Sequence, residues 1–362
     1  MNAEFFDAIA QLESEKGIPQ QYMLEKIEQA LLAALRKDNP AAAECAVVDV
    51  DPEKKKIEMY IQKEVVEDVF DSEVELSLEE AHAMDVNLEL GDKVNFPVET
   101  KKFGRIAAQA AKQVIIQGIR EAERSMVYNE FTSKEHEILT GVIHRIDPTS
   151  GNISMKISSN SEYTDALLLR SERIATETLR EGDRLKVYVI EVRKTPRGPQ
   201  VLISRTHPGL VKRLFELEVP EIVTGVVQIK SIAREAGFRT KMAVVSTDPL
   251  IDAVGSCVGP RGMRVENVVN ELKTEKVDIV KWSQDPAEYI ANALNPARVL
   301  SVFVSETEKA AAVVVPDNQL SLAIGKEGQN ARLAAKLTGW KIDIKSQSQV
   351  EAEAERLAGD QE

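Results

Sequence analysis

Apolar residues recur every three to four positions over the first 36 residues, and this spacing predicts two helices separated at Gly17-Ile18-Pro19. The two apolar faces comprise Phe5, Phe6, Ile9 and Leu12, and then Leu24, Ile27, Leu31, Leu32 and Leu35. Two strands, a short helix, a third strand and a long helix follow at 46–50, 57–61, 77–84, 94–98 and 101–126. Ser77 and Glu80 have the spacing of a capping box, which supports the short helix.

Beyond residue 130 the pattern changes to short runs that alternate apolar and polar residues. Five such runs predict strands at 141–145, 152–157, 165–169, 185–192 and 201–204. Five short strands within about 70 residues are typical of a small closed barrel of the OB type. Such barrels bind single-stranded nucleic acid on aromatic side chains, and the candidates here are His144, Tyr163 and Tyr188. A barrel that only spaces its neighbours is the alternative.

Residues 207–349 contain one pattern of elements twice, in the order helix, strand, strand, helix, helix, strand. In each copy a Gly-x-x-Gly loop, Gly259–Gly262 or Gly325–Gly328, separates the last two helices. The two loops are 66 residues apart, and the closing strands, which begin Val-Asp-Ile and Ile-Asp-Ile, are 65 residues apart. This self-similarity predicts two duplicated modules.

Glycines at both ends of such a loop let a sugar-phosphate backbone approach closely, because no Cβ intrudes. The following helix directs its N-terminal N–H groups at the phosphates, as in the KH fold, which holds about four nucleotides of single-stranded RNA. The sequence therefore predicts an RNA site at Gly259, Pro260, Arg261, Gly262, Arg264, Gly325, Lys326, Gly328, Gln329, Asn330 and Arg332. Glu327 is expected to weaken the second loop, since it has the same sign of charge as phosphate.

The net charge of −13 argues against a nucleic-acid-binding protein if the charge is spread evenly, but it is not. Residues 1–130 carry −12 and residues 350–362 carry −4, whereas 131–206 carry +2 and 207–349 carry +1. A chain with such a difference between its parts is expected to have two kinds of partner.

Several other classes of protein are not supported. Cys45 and Cys257 are too few for a disulfide framework, and the four histidines lack metal-binding spacing. No apolar run is long enough for a membrane span, and the N-terminus lacks the features of a signal peptide, so a soluble, cytoplasmic protein is expected. Asp49 and Asp51 flank a turn, where aspartate is common, so they do not indicate a metal site. Residues 255–259 resemble a nucleophile elbow but lie in a loop without a histidine partner. No Walker A motif for nucleotide binding is present. No enzymatic activity, metal or cofactor is predicted.

Long stretches of this sequence resemble the NusA family of bacterial transcription elongation, termination and antitermination factors. The resemblance is carried by residues 103–109, 204–210, 215–221, 258–265 and 323–334, and it covers essentially all of residues 1–349. It implies an α+β multidomain fold, with domains at 1–130, 131–206 (an S1 barrel), 207–281 and 282–349 (two type II KH domains) and an acidic tail at 350–362. Acidic C-terminal repeats that mask the RNA surface in some members are absent from this sequence.

The same resemblance implies that the first domain binds core RNA polymerase near its flap and RNA exit channel, while the barrel and KH domains bind nascent single-stranded RNA. Other Nus-type factors are further implied partners, and a monomer is expected. Arg105, His144, Arg145 and Arg205 are additional candidate contacts in the connecting helix and the barrel. An S1/KH protein that acts in RNA processing or on the ribosome is the alternative.

Overall fold

The computed structural model describes residues 3–16, 19–38, 40–51, 54, 56–97, 105–159, 162–196 and 198–359. The chain divides into two compact units, Met1–Val127 and Tyr128–Glu362. None of the helices in the described part of the chain is both long and apolar enough to cross a membrane.

The first unit joins a group of helices to a small mixed sheet. The elements are α1 (Ala3–Lys16), α2 (Gln20–Asp38), α3 (Pro40–Glu44), β1 (Ala46–Asp51), β2 (Lys56–Val66), β3 (Glu75–Ser77), α4 (Leu78–Met84), β4 (Lys93–Pro97) and α5 (Arg105–Thr132), of which α5 continues into the second unit. Strand β2 pairs with β1 and β4 in antiparallel orientation and with β3 in parallel. Strand β3 and helix α3 are additions to the predicted elements.

The predicted apolar faces form a core in this unit. Phe6, Ile9, Leu24 and Ile27 are buried in one cluster together with Ala122 of α5. The capping box is also confirmed, because the side chain of Ser77 accepts from the Glu80 amide and the Glu80 carboxylate accepts from the Ser77 amide. Residues 101–104 of the predicted long helix, including Phe103, lie outside the described residues.

The second unit begins with the predicted closed barrel of five strands. The strands are β5 (Ile138–Ile146), β6 (Ile153–Ser159), β7 (Glu162–Leu168), β8 (Arg184–Thr195) and β9 (Gly198–Ser204). They run in the order β5-β6-β7-β9-β8, and β8 pairs with β5 to close the barrel. Every second residue points inwards, so that Ile143, Ile153, Met155 and Val187 are almost completely buried.

Two modules of the same topology follow the barrel. The first, KH1, contains α6 (Pro208–Glu218), α7 (Pro220–Val223), β10 (Val227–Glu235), β11 (Arg239–Ser246), α8 (Ala253–Val258), α9 (Met263–Leu272) and β12 (Lys276–Lys281). The second, KH2, contains α10 (Pro286–Ala293), β13 (Ser301–Ser305), β14 (Ala310–Val315), α11 (Leu320–Ile324), α12 (Gln329–Thr338) and β15 (Lys341–Ser346). In both sheets the middle strand is antiparallel to the first strand and parallel to the last, which confirms the predicted type II KH arrangement.

The segment predicted as an acidic tail forms a helix over most of its length. Helix α13 (Gln347–Gly359) continues directly from β15. Ser348 donates to Asp317, and Lys345 pairs with Glu353 at 2.6 Å, so the start of the helix is fastened to KH2. The remaining exposed residues are mainly glutamate and alanine.

One buried arginine joins the barrel to KH1. Arg205 follows the last barrel strand, is completely buried, and ion-pairs with Glu177 of the barrel region and with Glu271 of α9. Its Nε and terminal nitrogens make five hydrogen bonds in all, including those to the carbonyls of Lys186 at 2.7 Å and Glu271 at 3.0 Å. All five N–H groups of the guanidinium therefore have an acceptor, which offsets the cost of burying the charge.

The sheet of KH1 carries the helices of KH2. Ala233, Ala243 and Val280, from its three strands, are buried in the same cluster as Tyr289 and Ile290 of α10. The Ser231 hydroxyl donates to the carbonyl of Leu337 at 2.6 Å, and the Lys241 ammonium donates to the carbonyl of Asn295 at 2.8 Å. The two KH modules therefore share one apolar core, which fixes their relative orientation.

Replacing Arg205 with leucine is expected to lower the free energy of unfolding of the second unit by about 3–5 kcal/mol, because Glu177 would remain buried without its cation. The two tryptophans, Trp282 and Trp340, both lie in this unit, so urea denaturation followed by tryptophan fluorescence measures it selectively. The control is Arg193→Ala, which removes a solvent-exposed ion pair with Glu191 and is expected to leave the midpoint of urea denaturation unchanged. Equal shifts for the two variants would contradict a structural role for Arg205.

Candidate nucleic-acid interface

The two Gly-x-x-Gly loops have the same backbone conformation although their middle residues differ. Each is a single 3₁₀ turn, Pro260–Gly262 or Lys326–Gly328, between two helices. The third residue is left-handed in both, with φ 52° and ψ 23° at Arg261 and φ 53° and ψ 27° at Glu327. Since an arginine and a glutamate adopt one strained conformation, the flanking glycines and helices determine the loop geometry.

The first glycine of each loop is required for packing inside the protein. Gly259 has φ 75° and ψ 174°, and Gly325 has φ 76° and ψ 172°, a region that is almost restricted to glycine. A Cβ on Gly259 would lie 2.6 Å from Cγ of Arg264, and one on Gly325 would lie 2.8 Å from the backbone nitrogen of Asn330. The expectation that both glycines open the loop to a ligand is therefore wrong for Gly259 and Gly325, since protein atoms occupy that space.

The second glycine of each loop faces open space. A Cβ on Gly262 would meet no atom within 4 Å, and one on Gly328 would meet only a terminal nitrogen of Arg332, at 3.5 Å. Both are N-cap residues without a side-chain oxygen, so no side chain caps α9 or α12. The positive end of each helix is thus accessible at the surface where a phosphate group would bind.

Arg264 and Asn330 occupy the same position in the two modules and hold the loop against the preceding helix. Arg264 donates to the carbonyl of Ser256 at 2.6 Å and pairs with Glu221 at 3.0 Å. The Asn330 amide donates to the carbonyls of Ala323 and Leu294, each at 3.0 Å. Asn330 is 1% exposed, so its prediction as a direct RNA contact is wrong: its amide is used to bind backbone carbonyls.

One cation in each loop is exposed and uncommitted. The side chains of Arg261 and Lys326 make no ion pair or hydrogen bond with any residue that the structure describes, and Pro260 beside Arg261 is also exposed. Glu327 is exposed next to Lys326, as expected from the sequence. Each loop therefore offers one positive charge beside a helix N-terminus that no side chain caps.

Gln329 and Arg332 bind a carboxylate of the other KH module. Gln329 donates to Glu235 of β10 at 2.8 Å, and Arg332 pairs with it at 3.1 Å while remaining 51% exposed. Partial burial raises the pKa of Glu235, but the bonds from Gln329 and Arg332 outweigh it and hold this pKa below its usual range. Glu235 is therefore ionised at neutral pH and neutralises part of the positive charge beside the second loop.

The barrel presents a polar and aromatic face on its first three strands. His144 and Arg145 are exposed at an irregularity in β5, and Tyr163 on β7 is 73% exposed. The register places Lys156 of β6 on the same outward face, where it pairs with Asp165 at 2.8 Å. Lys156 is not among the residues predicted from sequence, although its alternation with the buried Met155 and Ile157 is the signal that identifies it.

Two predicted contacts of the barrel are enclosed by protein. Tyr188 is 7% exposed and stacks on His207, with 4.6 Å between the ring centroids. Arg205 is fully buried between Glu177 and Glu271. Neither side chain can contact RNA, so both predictions are wrong, because the helices of KH1 cover this side of the barrel. Arg105 is the first residue of α5, and its side chain lies outside the described residues.

The thiol near the first loop lacks the properties of a nucleophile. Cys257 in α8 is fully buried, and this burial raises its pKa to about 12. A neutral, enclosed thiol does not attack a substrate. Among the described residues, no group of histidines, cysteines and carboxylates has a geometry that would hold a metal ion.

Because the two glycines of a loop have different surroundings, alanine is expected to destabilise the protein more at the first glycine than at the second. Gly328→Ala is expected to lower the free energy of unfolding by about 1 kcal/mol, because alanine is strained in the left-handed backbone conformation of this residue. Gly325→Ala is expected to cost at least about 1 kcal/mol more, because it adds a collision with Asn330. Urea denaturation followed by tryptophan fluorescence measures both, with Gly328→Asn as the nearly neutral control, since asparagine tolerates this conformation. Equal costs at 325 and 328 would contradict the assignment.

Models of three known domain families match the chain. The NusA N-terminal domain matches residues 4–125, the NusA-like first KH domain matches 205–282, and the NusA-like second KH domain matches 286–352. The last two contain one Gly-x-x-Gly loop each, at the positions described above.

Whole-chain relatives agree with these matches. The chain is 52% identical to the transcription termination/antitermination protein NusA of Halalkalibacterium halodurans over 371 aligned residues, covering 100% of this chain and 95% of that protein. It is 52% identical to the protein of that name from Bacillus subtilis, covering 96% and 92%, and 42% identical to that from Thermus thermophilus, covering 94% and 89%. Taken together with the barrel and the paired KH modules, this similarity shows that the chain belongs to the NusA family of transcription termination/antitermination proteins.

Proposed function

We propose that the chain holds nascent single-stranded RNA on its barrel and KH loops while its first unit is bound to RNA polymerase near the flap and the RNA exit channel. RNA polymerase and RNA are the partners that membership of the family implies. The observation that carries the proposal is the pair of loops with one backbone conformation, each with an outward-facing glycine and a helix N-terminus that no side chain caps. We assign polymerase binding to residues 1–130, RNA binding to the barrel at 131–206 and to the KH domains at 207–281 and 282–349, and no RNA contact to 350–362.

The RNA-binding residues follow from which side chains remain accessible. Gly262 and Gly328 allow the sugar-phosphate backbone to approach, and Arg261 and Lys326 supply one charge to each loop. His144, Arg145 and Tyr163 provide an exposed surface on the barrel for stacking and charge. Arg264, Gln329 and Arg332 act mainly by holding the loops, since each is bonded to a carboxylate.

Two free cations give little electrostatic affinity, because each phosphate contact contributes only about 0.7 to the salt dependence of binding to a single strand. Tethering compensates for this weakness. If the first unit is bound beside the RNA exit channel, the emerging RNA is present at an effective concentration on the order of millimolar. RNA held in this way is available for changes in pausing, termination and antitermination without any chemical step, metal or cofactor. The chain would act as a cytoplasmic monomer, together with other Nus-type factors.

The polymerase contact is proposed to lie in residues 69–90. Five of the exposed large apolar side chains of the protein fall within this segment: Val69, Phe70, Met84, Val86 and Leu90. Phe70 is 90% and Val86 is 80% exposed, and a concentration of exposed apolar side chains in one segment is typical of a protein-interaction site. The same segment is rich in acidic residues, which fits a basic, partly apolar surface on the partner.

Aspartate at the second glycine is expected to weaken RNA binding through its charge. Gly328→Asp should lower the affinity for single-stranded RNA about ten-fold, because the carboxylate projects towards the bound phosphate. Gly328→Asn is the matched control, with the same shape, no charge and the same tolerance of a left-handed backbone. Fluorescence anisotropy with a labelled single-stranded RNA measures both, and the pair Gly262→Asp and Gly262→Asn tests the first loop. Equal affinities of the Asp and Asn variants would exclude that loop from the RNA site.

A glutamate in the exposed apolar segment is expected to disrupt polymerase binding alone. Phe70→Glu and Val86→Glu should each reduce the affinity of the full chain for core RNA polymerase about ten-fold, because each buries a charge at the interface. Affinity for free RNA should be unchanged. Phe238→Glu, at an exposed phenylalanine of KH1, is the control for introducing a charge. Wild-type polymerase binding by both variants would place the contact elsewhere.

A further inference from the structure

Successive modules of the second unit dock in the same way. The barrel residues Ile138, Tyr188 and Ile190 pack with α6 of KH1, and the outer sheet face of KH1 packs with α10 and α12 of KH2. Helix α6 of KH1 thus covers the barrel, and helices α10 and α12 of KH2 cover KH1. The outer sheet face of KH2 is the last in this series.

The ladder registers identify equivalent positions on the two sheets. Lys241 pairs with Asp278 in KH1, and Ala312 pairs with Asp343 in KH2. On the neighbouring strands, Ala233 is opposite Lys241, and Phe303 is opposite Ala312. Phe303 therefore occupies in KH2 the place that Ala233 occupies in KH1.

These equivalent residues differ strongly in exposure. Ala233 is 4% exposed beneath the helices of KH2, whereas Phe303 is 64% exposed. Phe303 lines an open groove of about 420 Å³ together with Ala310, Ala312, Lys341 and Asp343. Helix α13 contacts this sheet face at the end away from the groove, where Glu353 pairs with Lys345. A large aromatic side chain thus lies exposed where the preceding module buries a small one.

The charges of the groove indicate what would bind in it. In KH1 the carboxylate of Asp278 forms ion pairs with Arg239 at 2.7 Å and with Lys241 at 3.0 Å, and both cations belong to the same sheet. The equivalent residues in KH2 are Ala310 and Ala312, so these two cations are missing while the carboxylate of Asp343 is retained. Asp343 and Glu308 are exposed and have no ion pair within the described part of the chain, and Lys341 is the one cation that lines the groove.

We propose that the outer sheet face of KH2 binds an amphipathic helix of a partner protein that carries a lysine or arginine beside its apolar stripe. The apolar stripe packs on Phe303 and the alanines, as α10 and α12 pack on KH1. The basic residue of the partner replaces the missing cations and pairs with Asp343. A second copy of this chain fits less well, because its own α12 is already packed on its KH1 sheet. This binding does not depend on the RNA site, which lies on the helices and loops.

The experiment is photocrosslinking of the full chain in the cells that natively produce it, with p-benzoylphenylalanine in place of Phe303. The control places the same photoreactive residue at Phe238, which is 56% exposed in the turn between β10 and β11. We expect a crosslink specific to position 303, mapped by mass spectrometry to a helix of another protein with a lysine or arginine within one turn. Asp343→Lys in the same chain should reduce this crosslink at least ten-fold, and aspartate at the basic position of the partner should restore it.

Affinity for single-stranded RNA checks that the variants are folded and should be unchanged in all of them. A crosslink at 303 no stronger than at 238 overturns the proposal. The same holds for a crosslink to RNA, to a second copy of the chain or to a non-helical segment, and for one that is unaffected by Asp343→Lys.

Discussion

The arrangement of the second unit depends on the burial of α6 of KH1 against the barrel and of α10 and α12 of KH2 against the KH1 sheet. At the first junction the burial includes the charge of Arg205, which is tolerated because all five of its N–H groups have acceptors. At the second junction it is mostly apolar, with Ala233, Ala243 and Val280 against KH2. The first loop directly precedes α9, whose Glu271 pairs with Arg205, and the second directly precedes α12, so the packing that stabilises the fold also places both Gly-x-x-Gly loops.

Within each loop, the two glycines have separate tasks. The first permits a backbone conformation and a close approach that another residue would prevent, and the second leaves the surface open. The geometry is therefore built from backbone, and it tolerates arginine in one copy and glutamate in the other at the strained third position. Affinity built on backbone N–H groups would depend little on RNA sequence, which fits the proposed binding of nascent RNA.

The charge distribution fits the proposed roles of the two units. The RNA-facing modules have only two uncommitted loop cations among their described residues, and Glu235 neutralises part of the remaining charge. Intrinsic RNA binding by two such charges would be weak and would depend little on salt, so the proposed localisation at polymerase would matter more than intrinsic affinity. The net charge of the first unit disfavours RNA, and its exposed apolar residues between 69 and 90 fit the proposed protein partner.

Most of the elements could be predicted from sequence because their signals are local. Periodicity located the long helices and the barrel strands, and the two spaced Gly-x-x-Gly loops located the KH modules. The elements that were missed are short or strongly charged: β3 has three residues, α7 has four, α3 has five, and α13 begins a segment of net charge −4. Such segments lack enough apolar positions for a periodic pattern, and their contacts with distant strands stabilise them.

For the site, sequence determined which residue types lie near the loops, since glycine spacing and the position of the following helix are properties of contiguous chain. Only the tertiary structure decided which of those side chains remain available. Arg205 is paired with Glu271, 66 residues away, and Arg332 with Glu235, 97 residues away, while Asn330 binds a carbonyl 36 residues away. The partner of a buried or bonded side chain comes from whichever module packs beside it. No local pattern encodes that choice, because it depends on how complete modules fit together.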